Sequence, residues 1–223
     1  MTELEIRQIF LNAARGFLGC KEADGSHCKI IDLYNTLFPL PRNYRMQYDD
    51  PWCATFPSAV AVKCGMTKII PCECSCYYMV EGFKALGRWV EDDGYTPLPG
   101  DIIFYDWEDS GRGDCLGVPD HVGIVEEVDG DNLTIIEGNI SDSVGRRAIK
   151  VNNRYIRGYG VPDYASLVSA LDIGTPSEWA RESCYKAVKG GIFHGDENGE
   201  FHWQDSITRE ELAVVLDNMG LLG

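Results

Sequence analysis

The sequence is short of positive charge. It has 20 lysine and arginine residues against 35 aspartate and glutamate residues, which gives a formal net charge of −15 at pH 7. Proteins that bind nucleic acid neutralise phosphates with clustered lysine and arginine, so the sequence predicts no nucleic-acid partner. The same deficit means that long-range electrostatics would not draw the chain onto an anionic surface. Recruitment to such a surface would need specific contacts.

Long apolar runs are also missing. No stretch approaches the roughly 20 apolar residues that a membrane-spanning helix needs. The opening segment MTELEIR has no basic segment followed by an apolar run, so we expect no signal peptide and no membrane span. Hydrophobic residues still make up 44% of the 223 residues. This is enough for a globular core, in one large domain or in one medium domain plus one small one.

Cysteine, in contrast, is abundant. The chain has nine cysteines, an odd number, and no export signal that would place them in an oxidising compartment, so we predict mostly reduced thiols. One local cluster is present, Cys72-x-Cys74-x-Cys76. Zinc sites generally place two residues between paired cysteines, and no histidine lies near this cluster in the sequence. The spacing therefore favours packing or loop thiols over a structural zinc site.

The segment between Asp106 and Asp120 is an acidic loop that could hold calcium. Its carboxylates do not have the spacing of an EF-hand. Solvated charge is therefore the favoured interpretation, and calcium is the alternative. The sequence predicts no metal and no cofactor.

A cysteine with the features of a nucleophile lies in the segment DPWCATF, residues 50–56. An amphipathic run begins directly after Cys53, which predicts a thiol near a helix N-terminus, where free N–H groups and the helix dipole favour thiolate. Pro57 lies in this helix; it costs little in the first turn but would kink the helix deeper in. Taken alone, such a cysteine is more often a buried small hydrophobe.

A histidine suited to general-base chemistry opens the apolar strand DHVGIV, residues 120–125. The turn signal DGDN and the strand LTIIEGN follow, which predicts an antiparallel hairpin. A three-residue turn pairing Val128 with Asn132 would set Asn139 opposite His121 and Glu137 diagonal to it. A two-residue turn would shift the register and turn both away. We expect the first register because it gives the imidazole an orienting partner.

Together these residues predict a catalytic triad of Cys53, His121 and Glu137, with Asn139 as the alternative third member. The segments WCATF, DHVGIV, IIEGN, PLPGDIIFYDW and RYIRGYGVP resemble the CHAP branch of the papain-like cysteine peptidases and amidases. The resemblance runs from about Glu3 to Asp163 and is strongest to the CHAP modules of phage and prophage endolysins.

The resemblance implies an α+β fold in which N-terminal helices pack on an antiparallel sheet. It also implies metal-free hydrolysis of an amide in peptidoglycan, by an N-acetylmuramoyl-L-alanine amidase or an endopeptidase. Papain-like enzymes place a second oxyanion donor beside the N–H of the cysteine. Tyr48 is the candidate for that donor here, and a core tyrosine is the alternative.

The composition changes after residue 163. We predict a CHAP-like domain at residues 1–163, a linker at 164–174 and a small helical module at 175–223, with Thr175 as N-cap and Pro176 at the first helical position. The module resembles a single S-layer homology motif, which implies anchoring to secondary wall polymers through Thr208-Arg209-Glu210. Such motifs normally work in threes, so a packing or dimerisation appendage is the alternative.

Three functions stay open at the level of the sequence. The first is an endolysin-like cell-wall hydrolase, cytoplasmic until released, with peptidoglycan as its partner. The second is a non-catalytic wall- or partner-binding protein on a papain-like core, and the third is a cytosolic amidase of small peptide conjugates. Only a catalytic Cys53 should react with iodoacetamide much faster than the other thiols.

Overall fold

The structure, a computed structural model, describes residues 2–92, 94–108, 117–170, 174–196 and 199–222. The chain divides into two compact units, one formed by Leu4–Tyr164 and the other mainly by Ala165–Gly223. No helix in the described ranges is both long and apolar enough to cross a membrane.

Four helices open the first unit: α1 (Glu3–Arg15), α2 (Cys28–Tyr34), α3 (Thr55–Cys64) and α4 (Cys76–Ala85). The hydrophobic spacing of the sequence predicts a helix in each of these places. Helix α3 is mostly apolar and has no distinct polar face, and eight of its ten residues are buried. A helix of this composition has to lie inside the fold rather than on its surface.

One antiparallel sheet follows, with the strand order β1-β6-β2-β3-β4-β5. The strands are β1 (Trp89–Val90), β2 (Ile102–Tyr105), β3 (His121–Asp129), β4 (Asn132–Ile140), β5 (Ser143–Lys150) and β6 (Ile156–Gly160). Alternate strand residues such as Tyr105, Val125 and Ile135 form a buried apolar cluster. The predicted α+β class, with N-terminal helices on an antiparallel sheet, is confirmed. The two-residue strand β1 is too short to show a period and was not predicted.

The hairpin of β3 and β4 has the turn length of one predicted register and, farther from the turn, the strand pairing of the other. At its turn Asp129 pairs with Asn132, so two residues form the turn and the predicted three-residue turn is wrong. A β-bulge between Val125 and Glu127 then adds one residue to β3, and beyond it Gly123 pairs with Glu137. A three-residue turn would have produced this same pairing, because the extra residue of the bulge makes up for the shorter turn.

The first unit includes Tyr164, one residue past the predicted domain end at Asp163. Its side chain is fully buried, and its hydroxyl donates to the carbonyl of Gly100 at 2.8 Å. The ring packs against Phe10 of α1, with centroids 6.2 Å apart, and the guanidinium of Arg7 lies over it at 4.5 Å. Tyr164 thus ties α1 to the segment that leads into β2.

Helix α5 (Tyr164–Ala170) occupies the start of the predicted linker. In the second unit, a 3-10 turn at Glu178–Ala180 leads into α6 (Arg181–Lys189), and α7 (Arg209–Asn218) follows. The predicted helix start at Thr175 is wrong. Ser177 is extended, with φ −55° and ψ 143°, and the carbonyl of Thr175 accepts a hydrogen bond from Gln204 at 3.0 Å.

Candidate active site

Cys53 lies two residues before α3, where the chain enters the helix. The preceding residue, Trp52, is completely buried, and its indole N–H donates to the carboxylate of Glu22 at 2.9 Å. Pro57 is the third residue of α3, within the first turn, where a missing N–H is tolerated. The helix therefore continues unbroken to Cys64.

A close approach at Gly138 brings β4 against the start of α3. A Cβ at this position would collide with the Cβ of Phe56 and lie 3.0 Å from Cζ3 of Trp52. Only glycine leaves room for this contact. The glycine of the IIEGN segment thus sets the distance between the strand that carries Glu137 and the residues around Cys53.

The contact between His121 and Glu137 depends on a second glycine, Gly123. The imidazole Nε2 lies 3.0 Å from Oε2 of Glu137. Glu137 pairs across the strands with Gly123, two residues from His121, so its side chain has to pass over position 123. A Cβ there would lie only 2.8 Å from Cγ of Glu137. Gly123 therefore provides the space in which the carboxylate reaches the imidazole.

The second oxygen of Glu137 binds Arg147, a residue that the sequence reasoning missed. Nε of Arg147 on β5 donates to Oε1 at 2.7 Å, and the Glu137 side chain is completely buried. Burial opposes the charge of this carboxylate, but the hydrogen bonds from His121 and Arg147 hold the pKa of Glu137 below its ordinary value. Two adjacent arginines precede Ala148 in the sequence, and only the β4–β5 register shows which one reaches the site.

A second cysteine, also missed, lies beside the candidate nucleophile. Sγ of Cys76, the first residue of α4, is 3.6 Å from Sγ of Cys53. The other members of the CxCxC cluster lie elsewhere, since Cys72 contacts the carbonyl of Ser58 and Cys74 accepts from Arg42. Nothing in the local sequence indicates this neighbour, because the fold brings the first residue of α4 beside the segment that precedes α3.

The pKa shifts of Cys53 and His121 favour an ion pair between the thiol and the imidazole. A hydrogen bond with Cys76, together with the imidazole of His121, lowers the pKa of Cys53 to about 5 despite burial. Burial acts to lower the pKa of His121, but hydrogen bonds with Cys53 and Glu137 outweigh it and raise that pKa to about 9. At neutral pH the pair is therefore thiolate and imidazolium. Because Glu137 engages Nε2, Nδ1 is the ring nitrogen left for the sulfur.

An aromatic surface flanks the imidazole. Trp107 stacks on Tyr105 with centroids 4.7 Å apart, and both rings lie about 6 Å from His121. Trp107 is 37% exposed, and the guanidinium of Arg147 lies 5.0 Å from its ring centroid. An apolar or sugar-ring surface of a ligand could pack on this indole beside the reacting groups.

The other candidate residues have different neighbours. Asn139 has a left-handed backbone, with φ 55°, and it is Glu137 that lies at hydrogen-bonding distance from His121. The hydroxyl of Tyr48 donates to Asp32 on α2 at 2.8 Å, so this structure directs it to α2. Its oxyanion role stays a prediction.

Thr208, in the second unit, caps α7: its hydroxyl accepts a hydrogen bond from the N–H of Glu211 at 3.1 Å, in a capping box.

No group of three or more metal-binding side chains is found within the ranges that the structure describes. The acidic loop considered for calcium falls mostly at residues 109–116, outside the described residues. The CxCxC cluster is divided among three different environments.

A known protein family matches part of the first unit. Residues 43–139 match the family model of the CHAP domain, a span that contains Cys53, His121 and Glu137. The match covers less than half of the chain and supports a hydrolase of the amidase or peptidase class.

Solved structures that are similar to the chain include two of one protein. One is "The crystal structure of Ly7917", at 17% identity and a TM-score of 0.42, covering 71% of this chain and 62% of that chain. The other, "The crystal structure of Ly7917 with the hydrolyzing product of MDP", has 16% identity and a TM-score of 0.40, with 70% and 62% covered. The alignment thus spans less than two thirds of that protein. No curated protein matches the chain.

Proposed function

We propose that this protein is a cysteine-dependent peptidoglycan hydrolase of endolysin type. It cleaves an amide bond, as an N-acetylmuramoyl-L-alanine amidase or as an endopeptidase. The observation that carries the proposal is the arrangement of the three groups: the Cys53 thiolate beside His121, whose Nε2 is held by the buried carboxylate of Glu137 at 3.0 Å. A thiolate, an imidazolium and an orienting carboxylate are the groups that acyl transfer to cysteine needs.

In the first half of the reaction, the Cys53 thiolate attacks the carbonyl carbon of the scissile amide. The π electrons of the carbonyl move to its oxygen, which forms a tetrahedral anion that backbone N–H groups at the start of α3 can stabilise. When the anion collapses, the C–N bond breaks and the imidazolium of His121 gives its proton to the leaving amine. The products of this half are a thioester on Cys53 and a neutral His121.

In the second half, His121 takes a proton from water as the water oxygen attacks the thioester carbonyl. Cys53 then leaves as a thiolate and the imidazolium is restored. Glu137 holds the ring through Nε2 in both halves, and Arg147 holds Glu137. No proton passes to the carboxylate, because Arg147 throughout, and His121 when it is protonated, favour its ionised form.

The proposal extends to location and anchoring. The enzyme acts at the cell wall after release from the cytoplasm, and residues 175–223 hold it there by binding a secondary wall polymer. Of the three residues predicted to contact the polymer, Thr208 serves as the cap of α7. The exposed side chains of Arg209 and Glu210, at the start of that helix, are therefore the proposed polymer contacts.

Digestion of purified cell walls tests the proposed reaction. The enzyme should release new amino groups without new reducing sugars, and Cys53→Ala treated identically provides the blank. A new N-terminal alanine would identify an amidase, and a free amine from the cross-link would identify an endopeptidase. New reducing sugars, or the absence of any new terminus, would contradict an amide hydrolase.

A further inference from the structure

The two sulfurs at the site are close enough to share one proton. Cys53 and Cys76 have their Sγ atoms 3.6 Å apart, within reach of an S–H···S hydrogen bond and far beyond the roughly 2.05 Å of a disulfide. Both are free thiols, and Cys76 is buried, with 7% of its surface exposed. Cys76 therefore has little access to solvent, and its sulfur lies next to that of the nucleophile.

The surroundings decide which sulfur keeps the proton. Two thiolates at this distance would repel each other, so only one of the pair is ionised. Cys53 faces the imidazolium of His121 and the N–H of Ala54, both of which favour its anion. Cys76 lies beside Cys53, and the carboxylate of Asp120, in the segment before β3, adds an electrostatic effect that also opposes ionisation of Cys76. The start of α4 favours a charge on Cys76, but these two anionic neighbours oppose it.

We propose that Cys76 is a positioning residue of the nucleophile, whose S–H donates a hydrogen bond to the Cys53 thiolate and keeps that sulfur anionic. This inference rests on the proposed function, in which Cys53 attacks the substrate. It adds a third donor to the thiolate, besides His121 and the N–H of Ala54. The raised pKa of Cys76, which follows from its bond with Cys53 and from burial, agrees with this direction of donation.

The strength of the hydrogen bond from Cys76 depends on whether Cys53 is a thiolate or a thioester. In the thioester intermediate this sulfur carries no charge and accepts hydrogen bonds weakly, so the bond from Cys76 is strong only when Cys53 is a thiolate. The donor thus favours the attacking form and the form that leaves at the end of the cycle. A less basic thiolate is also a weaker nucleophile. Cys76 should therefore extend activity toward low pH rather than raise the maximal rate.

Alkylation of Cys53 as a function of pH tests this role directly. Full-length protein is treated briefly with iodoacetamide in the presence of a phosphine reductant, and the Cys53 peptide is quantified by mass spectrometry. In Cys76→Ala we expect the midpoint to rise by about one pH unit, with a rate about threefold to tenfold lower below both midpoints. At high pH, where Cys53 is ionised in both proteins, the rate of the variant should be equal or up to about threefold higher.

Two variants serve as controls. Cys76→Ser keeps an O–H donor, so its midpoint should stay near that of the wild type. Cys64→Ala removes another buried thiol from α3, at the far end of the helix from Cys53, and should leave the profile unchanged. A purely structural role of Cys76 would lower the melting temperature without moving the midpoint. An unmoved midpoint in folded Cys76→Ala would overturn the proposal.

If Cys76→Ala does not fold, the wild-type protein itself gives the answer. With ¹³C at the cysteine Cβ atoms, the NMR signal of Cys53 should titrate while that of Cys76 stays in its thiol position. Ionisation of Cys76 before Cys53 would overturn the proposal. Failure of the proposed function looks different, because Cys53 of the wild type would then react no faster than the other thiols and wall digestion would be absent.

Discussion

Glu137 is the residue of the site whose charge depends most on its neighbours. Its side chain has no exposed surface, and an isolated carboxylate in such a place would be strongly destabilised. Here each oxygen has a cationic partner, His121 at 3.0 Å and Arg147 at 2.7 Å. The sign of the charge thus alternates across four neighbouring groups, from the thiolate of Cys53 through His121 and Glu137 to Arg147.

This arrangement predicts an order of effects on rate. His121→Ala removes the proton donor and should lower kcat/KM by about 10³-fold or more. Glu137→Gln keeps the shape but removes the charge that orients the ring, so its loss should be smaller. Steady-state hydrolysis of soluble wall fragments measures both. Asn139→Ala is the control, and if it proves far more damaging than Glu137→Gln, Asn139 is the third member of the triad.

The same groups predict the pH dependence of kcat/KM. Activity should rise as Cys53 loses its proton through about pH 5 and fall as His121 loses its proton through about pH 9. The anion of Glu137 helps to raise the pKa of His121. Glu137→Gln should therefore move the alkaline limb to lower pH. A pH–rate profile in which that limb stays in place would show that the carboxylate does not act on the imidazole.

At the scale of elements, two glycines and one bulge assemble the site. The bulge between Val125 and Glu127 sets the pairing of Gly123 with Glu137. Gly123 opens the path for the carboxylate, and Gly138 allows β4 to approach α3. These features place Cys53 and His121, which come from a helix start and a strand start, within reach of each other.

Gly123→Ala should therefore damage catalysis as well as core packing, because the added methyl group would lie 2.4 Å from Cγ2 of the buried Ile135. The added methyl group meets Cγ of Glu137 and displaces the carboxylate from His121, so we expect a loss of about tenfold or more in kcat/KM. Gly130→Ala is the matched control: the turn glycine has φ +56° with nothing within 4 Å of the added Cβ. It should cost about 1–2 kcal/mol of stability and leave the rate of the folded enzyme unchanged. Equal rates for the two variants would contradict the role assigned to Gly123.

The sequence predicts some of these elements and not others, for physical reasons. Helices α1 to α4 and the longer strands have clear periods, and Cys53, His121 and Glu137 stand in recognisable local contexts. The turn of the hairpin was predicted wrongly, because the bulge at Glu126 has no sequence signal. Arg147 and Cys76 were missed because strand register and the tertiary fold, rather than local pattern, bring them to the site.

At the scale of the whole molecule, the net charge of −15 gives the protein no general attraction to an anionic wall. The proposed anchor has to act through specific contacts of the second unit. The first unit has its own core and includes Tyr164, whose hydroxyl bonds Gly100. A shortened chain should therefore end after α5 rather than at Asp163.

Removal of residues 171–223 should leave hydrolysis of soluble wall fragments nearly unchanged and weaken binding to intact cells. The first unit forms a compact body by itself, so its catalytic groups should stay in place. Co-sedimentation with whole cells compares residues 1–170 with the full chain, and circular dichroism checks that the shortened chain is folded. Equal pelleting would exclude residues 171–223 as the anchor and favour a packing or dimerisation role.

The central claim is that the sulfur of Cys53 performs the attack on the wall, and one variant tests it most directly. Release of amino groups from purified walls is compared for wild type, Cys53→Ala and, as a matched control, Cys64→Ala. The thiolate is the attacking atom and the side chain at this helix start adds little packing, so Cys53→Ala should be folded and inactive while Cys64→Ala retains activity. Amine release by folded Cys53→Ala at about a tenth of the wild-type rate or more would contradict the account, because truncation of a catalytic nucleophile removes far more than tenfold.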